Sequence, residues 1–390
     1  MVAYTFYEED NRVRRYAEAL AKRGDRVDVV ALRHDGQAST ECIDGVRVFR
    51  IQRRVVNEKG KFTYLGRLLL FFIRSMVFLT RKQFKGGYDF IHVHSVPDFE
   101  VFAALVPKLM GAKIILDIHD IVPEFYASKF SVSKNSLIFK LLIAVERMSI
   151  AFADHVVVAN HIWQDRLQAR SVKDSKCTTI LNFPDTKIFS RKGRNRTDEK
   201  FIILYPGTLN FHQGVDIAIR ALALIRDRVP EAEFHVYGEG EQLDSLKALT
   251  TELGLQDRVF LNRILPLNEI NSVIENADLG VVPKRKNSFG NEAFSTKILE
   301  FMALSVPVVV PDTTIDRYYF NDSVTKFFHA VDEKSLAEAI LEMIRKPEVR
   351  QRLTRNADEF VRKYLWDENK STYLALVDSL VHSRNGTSPT

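Results

Sequence analysis

Glu292 and Glu300 lie eight residues apart in Glu292-Ala-Phe-Ser-Thr-Lys-Ile-Leu-Glu300, with the apolar run Val306-Pro-Val-Val-Val310 close behind. Ser295 and Thr296 are N-cap residue types, so a helix is predicted to start there. Glu292 then sits in the loop ahead of it and Glu300 one turn inside. The free amides of a helix start favour an anion in the preceding loop, and Lys297 adds a full positive charge. Such a constellation suits a ligand with both hydroxyls and phosphates, as a nucleotide sugar has. The plainer alternative is a surface helix with an ordinary acidic face.

Other polar residues and glycines fall just after apolar runs that read as strands. His94 ends Phe90–His94, and His119 and Asp120 follow Lys113–Ile118. Gly207-Thr208-Leu209 follows Phe201–Tyr205, Gly214 opens the next helix, and Gly238-Glu239-Gly240 follows Glu233–Tyr237. Ligands of doubly wound domains bind at such carboxyl ends. Each position alone also reads as a turn or a core histidine. The first strand lacks G-x-G-x-x-G, which argues against a standard dinucleotide-binding oxidoreductase.

The elements that must position these residues alternate along the chain. Strands are predicted at 27–32, 46–51, 90–94, 113–118 and 155–159, with helices at 12–23, 99–110 and 137–152. A second series has strands at 201–205, 233–237, 258–261, 279–282 and 306–310, with helices at 215–228, 241–253 and 267–276. This pattern predicts two parallel sheets of the α/β class. The polar stretch Arg191–Lys200 reads as the linker and Ser383–Thr390 as a frayed tail. Only Val2-Ala-Tyr-Thr5 precedes the first turn, so the first strand is expected to begin upstream.

The chain has 390 residues, 46% of them hydrophobic and 27% charged, which describes an ordinary globular protein of about two domains. A net charge of +6 suits polyphosphate ligands or an anionic membrane surface. Cys42 and Cys177 show neither metal-ligand spacing nor a disulfide framework. No signal peptide is read at the start, and a reducing cytoplasm is the expected setting.

Taken in order, these segments resemble the family 4 retaining glycosyltransferases. The resemblance runs from Asp10-Asn-Arg-Val-Arg-Arg-Tyr-Ala-Glu-Ala-Leu20 through Tyr88-Asp-Phe-Ile-His-Val-His94 and Leu116-Asp-Ile-His-Asp120. It continues through Ile180-Leu-Asn-Phe-Pro-Asp185, Tyr205-Pro-Gly207 and Gly214-Val-Asp216, and is strongest at the Glu292 to Glu300 spacing, the family's E-x7-E motif. It implies the GT-B fold, two facing Rossmann-like domains with the nucleotide sugar in the cleft. Residues 1–185 are the expected acceptor-side domain and 186–366 the donor domain, with a last helix at about 367–382 crossing back to the first. The resemblance assigns Glu300 to the ribose, Glu292 to the donor sugar's hydroxyls, and the helix start with Lys297 to the pyrophosphate. It sets His119 near the anomeric centre. Retention in this family is described as front-face displacement, in which the leaving phosphate helps take the acceptor proton. No cofactor beyond the nucleoside-diphosphate sugar is implied. Metal is usually not needed, and the chain has no Asp-x-Asp.

Many members carry a cation after the first strand of the donor domain and a Lys just before the glycine. Here those places read Thr208 and Gln213. Losing both would weaken stabilisation of the leaving group by about 1.5–3 kcal/mol per charged hydrogen bond. Lys297, Lys284, Arg285, His212 and Arg263 are the candidates to compensate.

Phe62–Lys85 carries Arg67, Arg74 and Arg81 at intervals of seven, nearly one helix face. Leu70, Phe71 and Phe78 fall beside that stripe, and Lys59, Lys61, Lys82 and Lys85 add charge. Its longest uncharged runs fall short of the ~20 residues of a span. An interfacial helix is expected, against the alternative of a packing element with solvated arginines. Ser133–Phe152 reads as a core helix, against the alternative that it extends an apolar acceptor surface. The overall expectation is a cytoplasmic glycosyltransferase, peripheral on the inner membrane face, acting on a lipid-linked or other glycan acceptor and not on nucleic acid. The alternatives are a non-catalytic scaffold that binds a sugar nucleotide and a GT-B epimerase.

Overall fold

The computed structural model describes residues 1–54, 61–130, 132–287 and 289–385. Lys59 and the tail from residue 386 lie outside the described residues, as do the side chains of Lys61 and Phe62. The chain forms two compact units, Met1–Asn182 with Asn369–Thr390, and Phe183–Glu368.

The first unit is built on β1 (Val2–Ala3), β2 (Asp28–Arg33), β3 (Thr40–Ile43), β4 (Val46–Arg53), β5 (Phe90–His94), β6 (Lys113–Ile118), β7 (His155–Val158) and β8 (Cys177–Thr179). Their order is β3-β4-β2-β1-β5-β6-β7-β8. Only β3 runs antiparallel, joined to β4 by Asp44-Gly45 with φ of 50° and 81°. Asp-Gly tolerates the two left-handed positions of a tight hairpin turn. Ile114-Ile-Leu116 and Val156-Val-Val158 are fully buried, as central parallel strands covered on both faces must be. Helix Asn11–Arg23 is capped by Asp10, which accepts from the amides of Arg12 and Val13, and ends at Gly24 in the left-handed region. The predicted helix 99–110 is instead a 3-10 segment, Asp98–Ala104, followed by a short α-helix, Leu105–Leu109. Pro107 has no amide to bond the carbonyl of residue 103, so α-helix holds only where the proline falls in its first turn.

The second unit is built on β9 (Phe201–Pro206), β10 (Ala232–Tyr237), β11 (Val259–Asn262), β12 (Leu279–Val281), β13 (Val308–Pro311) and β14 (Lys326–Phe328), ordered β11-β10-β9-β12-β13-β14 and all parallel. Helix Val215–Ile225 turns Val215, Ile219, Leu222 and Ile225 into its core. Because β9 lies between β10 and β12, the loops that follow all three open on one sheet edge.

The last helix, Trp366–Asn385, begins in the second unit, where the Trp366 amide donates to the Pro184 carbonyl at 3.0 Å. From Asn369 onward it belongs to the first. There Tyr373 is fully buried with its hydroxyl 2.9 Å from His92 Nδ1, and Arg23 bonds Asp378 at 2.7 Å.

Candidate functional site

In the second unit the loops after β9 and β10 meet so closely that a side chain on Gly238 would collide with the Gly207 carbonyl. Gly207 itself has φ of 153°, and the Lys297 side chain occupies the space its Cβ would take. Gly214, with φ of 68°, is pressed against the Pro283 carbonyl. These glycines let the loops after β9, β10 and β12 approach closely, with Lys297 packed against Gly207. The Lys297 ammonium lies over the Tyr205 ring, 5.3 Å from its centroid, and has no hydrogen-bond or carboxylate partner among the described residues. Burial lowers its pKa, opposed by the charge of Glu300. Burial likewise raises the Glu300 carboxyl, against the pull of Lys297 and a bond from Thr296.

Helix Thr296–Ala303 starts one residue after Ser295, which has N-cap backbone angles. Its side chain does not cap: the Ser295 hydroxyl is buried and makes no bond to the helix amides. The helix start is therefore left to a ligand or water. Glu292 sits in the preceding turn, its amide on the Phe289 carbonyl.

Two of the cations expected to compensate are engaged elsewhere. Lys284 is buried, donating to the Ala293 carbonyl at 2.7 Å and paired with Asp316 at 3.0 Å, so it braces the loop rather than facing a ligand. Arg285 pairs with Asp216 at 2.6 Å and covers Phe211. Gln213 accepts from the Tyr205 hydroxyl at 3.1 Å and approaches His212 at 3.2 Å. Thr208 and Arg263 are exposed after β9 and β11.

In the first unit, His94 and His119 are brought together at the ends of β5 and β6. His94 Nδ1 and His119 Nε2 are 3.1 Å apart, and each lies 3.3 Å from Asp117 Oδ2. His92 joins them at 3.7 Å. Arg12 grips Asp117 through two bonds of 2.8 Å and donates a third, at 2.7 Å, to the Ile180 carbonyl. Burial would raise Asp117, yet Arg12 and His119 hold its carboxyl well below the usual range. Burial pushes His94 well down, with His92 adding to the effect, so His94 is neutral at pH 7. His119 keeps 23% of its side chain exposed while Nε2 faces the cluster, so Nδ1 is the ring nitrogen that the cluster does not use. Asp120 is partly exposed beside it, its carboxyl raised by burial. His92, His94 and Asp117 are close enough to share a metal ion. A cation there would face the fixed charge of Arg12 on the same carboxylate. Arg12 and Asp117 received no role from sequence. The signal available was a carboxylate inside the apolar run Ile114-Ile-Leu-Asp-Ile118, which demands a buried partner.

The helix of the Phe62–Lys85 segment spans Lys61–Gln83 and turns differently from the expected interfacial face. Phe71 is fully buried, edge-on to Tyr4 at 5.2 Å, and Phe78 packs on Phe49 at 4.9 Å. The bulky rings anchor this helix because the sheet offers them aromatic partners. Its outer side shows Leu65, Leu69, Leu70, Ile73 and Val77, with Phe84 just beyond its end, beside the exposed Arg74 and Arg81 and the partly exposed Arg67. Thr63–Gln83 is long and apolar enough to cross a membrane, but Leu68, Phe71, Ser75 and Leu79 tie it to the unit's core. Helix Leu137–Phe152, expected in the core, also leaves Leu137, Ile138 and Leu141 exposed.

Residues 10–188 match the family described as Glycosyltransferase Family 4, and residues 186–360 match Glycosyl transferases group 1. A D-inositol 3-phosphate glycosyltransferase of Saccharomonospora viridis is 25% identical over 398 residues, covering 95% of this chain and 89% of that protein. Sucrose-phosphate synthase from Thermosynechococcus elongatus superposes with a TM-score of 0.80 at 18% identity, over 98% of this chain and 99% of that one. HepE from Anabaena, solved in complex with UDP-glucose, gives 0.72 at 16% identity, over 97% and 98%. At such identities the structural likeness speaks for the fold.

Proposed function

The chain belongs to the family 4 glycosyltransferases and has the GT-B fold, and from that premise we propose that it moves a sugar from a nucleoside diphosphate to a lipid-linked acceptor, with retention at the anomeric carbon. The observation that carries this reading is the Lys297 ammonium, which has no hydrogen-bond or ion-pair partner among the described residues, at an uncapped helix start. Charge develops on the departing pyrophosphate, and donors already aimed there stabilise it without reorganisation. Lys284 and Arg285 are committed to Asp316 and Asp216, so that task falls to Lys297 and the helix amides. Glu300 holds the ribose, Glu292 the sugar hydroxyls, and His119 meets the acceptor side with Nδ1. The leaving phosphate oxygen takes the acceptor proton, so catalysis is mostly positioning. No metal is required in this scheme.

The acceptor belongs to polysaccharide or glycolipid assembly, and the protein works as a peripheral enzyme on the cytoplasmic membrane face. The outward stripe Leu65, Leu69, Ile73 and Val77 with Arg74 and Arg81 supports this. Binding to anionic vesicles is expected to fall with salt but persist through the apolar stripe. Protein indifferent to such vesicles at low salt would remove the membrane half of the reading.

A panel of radiolabelled nucleoside-diphosphate sugars with a membrane lipid extract tests the activity. Glu300→Ala is expected to weaken nucleotide binding and Glu292→Ala to reduce turnover. Normal transfer by both variants would sink the site assignment. A scaffold or an epimerase would bind the donor without moving label to lipid.

A further inference from the structure

A second cluster of cations lies in the first unit, away from the histidines. Arg33 ends β2 and Arg53 ends β4, paired in register so that both side chains leave the same face of the sheet. The next residue, Arg54, bonds the Arg33 carbonyl through its amide and lays its guanidinium over the Tyr4 ring, 5.3 Å from the centroid. Tyr4 in turn meets Tyr64 at 6.4 Å, at the start of the helix with the outward apolar stripe. Gln52 bonds the Arg67 carbonyl at 3.0 Å and holds that helix start against the strand ends.

The carboxylates nearby do not balance this charge. Glu8 and Glu41 are taken by Arg50, and Glu9 by His34. Among the described residues Asp35 alone approaches, 3.8 Å from Arg53, and both are well exposed. Arg33 is half-buried with its Nε sealed from solvent, and no described group accepts from it. A buried guanidinium nitrogen without an acceptor marks an unfilled place. Guanidinium forks match phosphate oxygens in pairs.

Resting on the lipid-linked acceptor reading, we infer that Arg33, Arg53 and Arg54 form a subsite for the phosphate or diphosphate of a lipid whose chain lies along Leu65 and Leu69. The lipid source follows from position, because the exposed apolar side chains begin one residue beyond Tyr64.

Calorimetry on the full chain tests this with farnesyl diphosphate, farnesol and inorganic pyrophosphate, all with saturating UDP to fill the second unit. Farnesyl diphosphate is expected to bind at least about tenfold more tightly than either of the others. Arg33→Gln is expected to lose about tenfold or more of that affinity, and Arg33→Lys to recover part of it. Arg53→Gln, at an exposed position that folding does not need, is expected to lose affinity in the same direction. Leu69→Gln is expected to weaken farnesyl diphosphate and leave pyrophosphate unchanged. Unaltered affinity in both Arg33→Gln and Arg53→Gln overturns the subsite, and pyrophosphate binding as tightly as the farnesyl compound overturns the lipid source. UDP affinity in each variant checks the fold. A protein that binds the lipid diphosphate but transfers no sugar would lose the proposed activity and keep this subsite.

Discussion

The polar clusters of the two units handle buried charge in opposite ways. In the first unit Asp117 is saturated: Arg12 takes both oxygens, and three histidines pack around what remains. In the second unit Lys297 is partly buried against Tyr205 with no hydrogen-bond or ion-pair partner among the described residues. The first cluster is a closed network that orients His119. The second is drawn together through glycines but leaves its charge for something to arrive. A complete ion pair rigidifies, whereas an incomplete one stores affinity for a ligand at some cost in stability.

The largest expected effect breaks the closed cluster. Arg12→Met leaves Asp117 buried and unpaired, and is expected to cost about 3–5 kcal/mol in urea unfolding. Affinity for the donor nucleoside diphosphate should not change. A loss below 1 kcal/mol would mean that water already compensates Asp117.

Lys297→Met sharpens the contrast by moving binding and stability in opposite directions. Nucleoside diphosphate affinity is expected to fall by about 1.5–3 kcal/mol, nucleoside affinity much less. Thermal stability of the ligand-free protein is expected to hold or rise, since a partly desolvated charge is removed. Equal losses for the nucleoside diphosphate and the nucleoside would show that the ammonium does not face phosphate.

The pH response separates the clusters further. The folded His94 pKa is depressed, so the unfolded chain takes a proton below about pH 6.5 that the native state refuses. Wild-type stability should therefore drop relative to His94→Phe as pH falls below that value, by up to about 1.4 kcal/mol per unit. The comparison must be made against the variant. Burial raises Asp98 to about 7 and Glu100 to about 8, and these acids lose stability in the opposite direction, as pH rises. Parallel pH curves would exclude His94 as the refusing group.

Tyr373→Phe is the smallest change. It removes one hydroxyl from His92 while keeping the ring stacked on Tyr16 at 4.2 Å, and about 1 kcal/mol of stability is expected to go with it. No change in unfolding would mean that stacking alone holds the last helix there.

Much of the architecture was legible because buried parallel strands announce themselves as short apolar runs. β5 and β6 fall where those runs lie. The hairpin β3–β4 was missed although Asp44-Gly45 is a strong turn signal, because Thr40–Ile43 is exposed and carries no apolar pattern. The 3-10 segment was missed because periodicity cannot tell it from α-helix, and only Pro107 spoke against it.

The sequence by itself determined the local chemistry: a helix beginning at Ser295, a lysine in its first turn, polar residues at strand ends, and neutral residues at 208 and 213. These depend on residue type and short spacing, which the chain states directly. Tertiary structure alone decided which charges are spoken for. Arg12 and Asp117 are 105 residues apart, and Lys284 and Asp316 also meet only in the fold. It decided too that Phe71 turns inward and Leu69 outward on one amphipathic helix. A side chain's partner is set by the sheet order that brings distant segments together, and no local spacing encodes it.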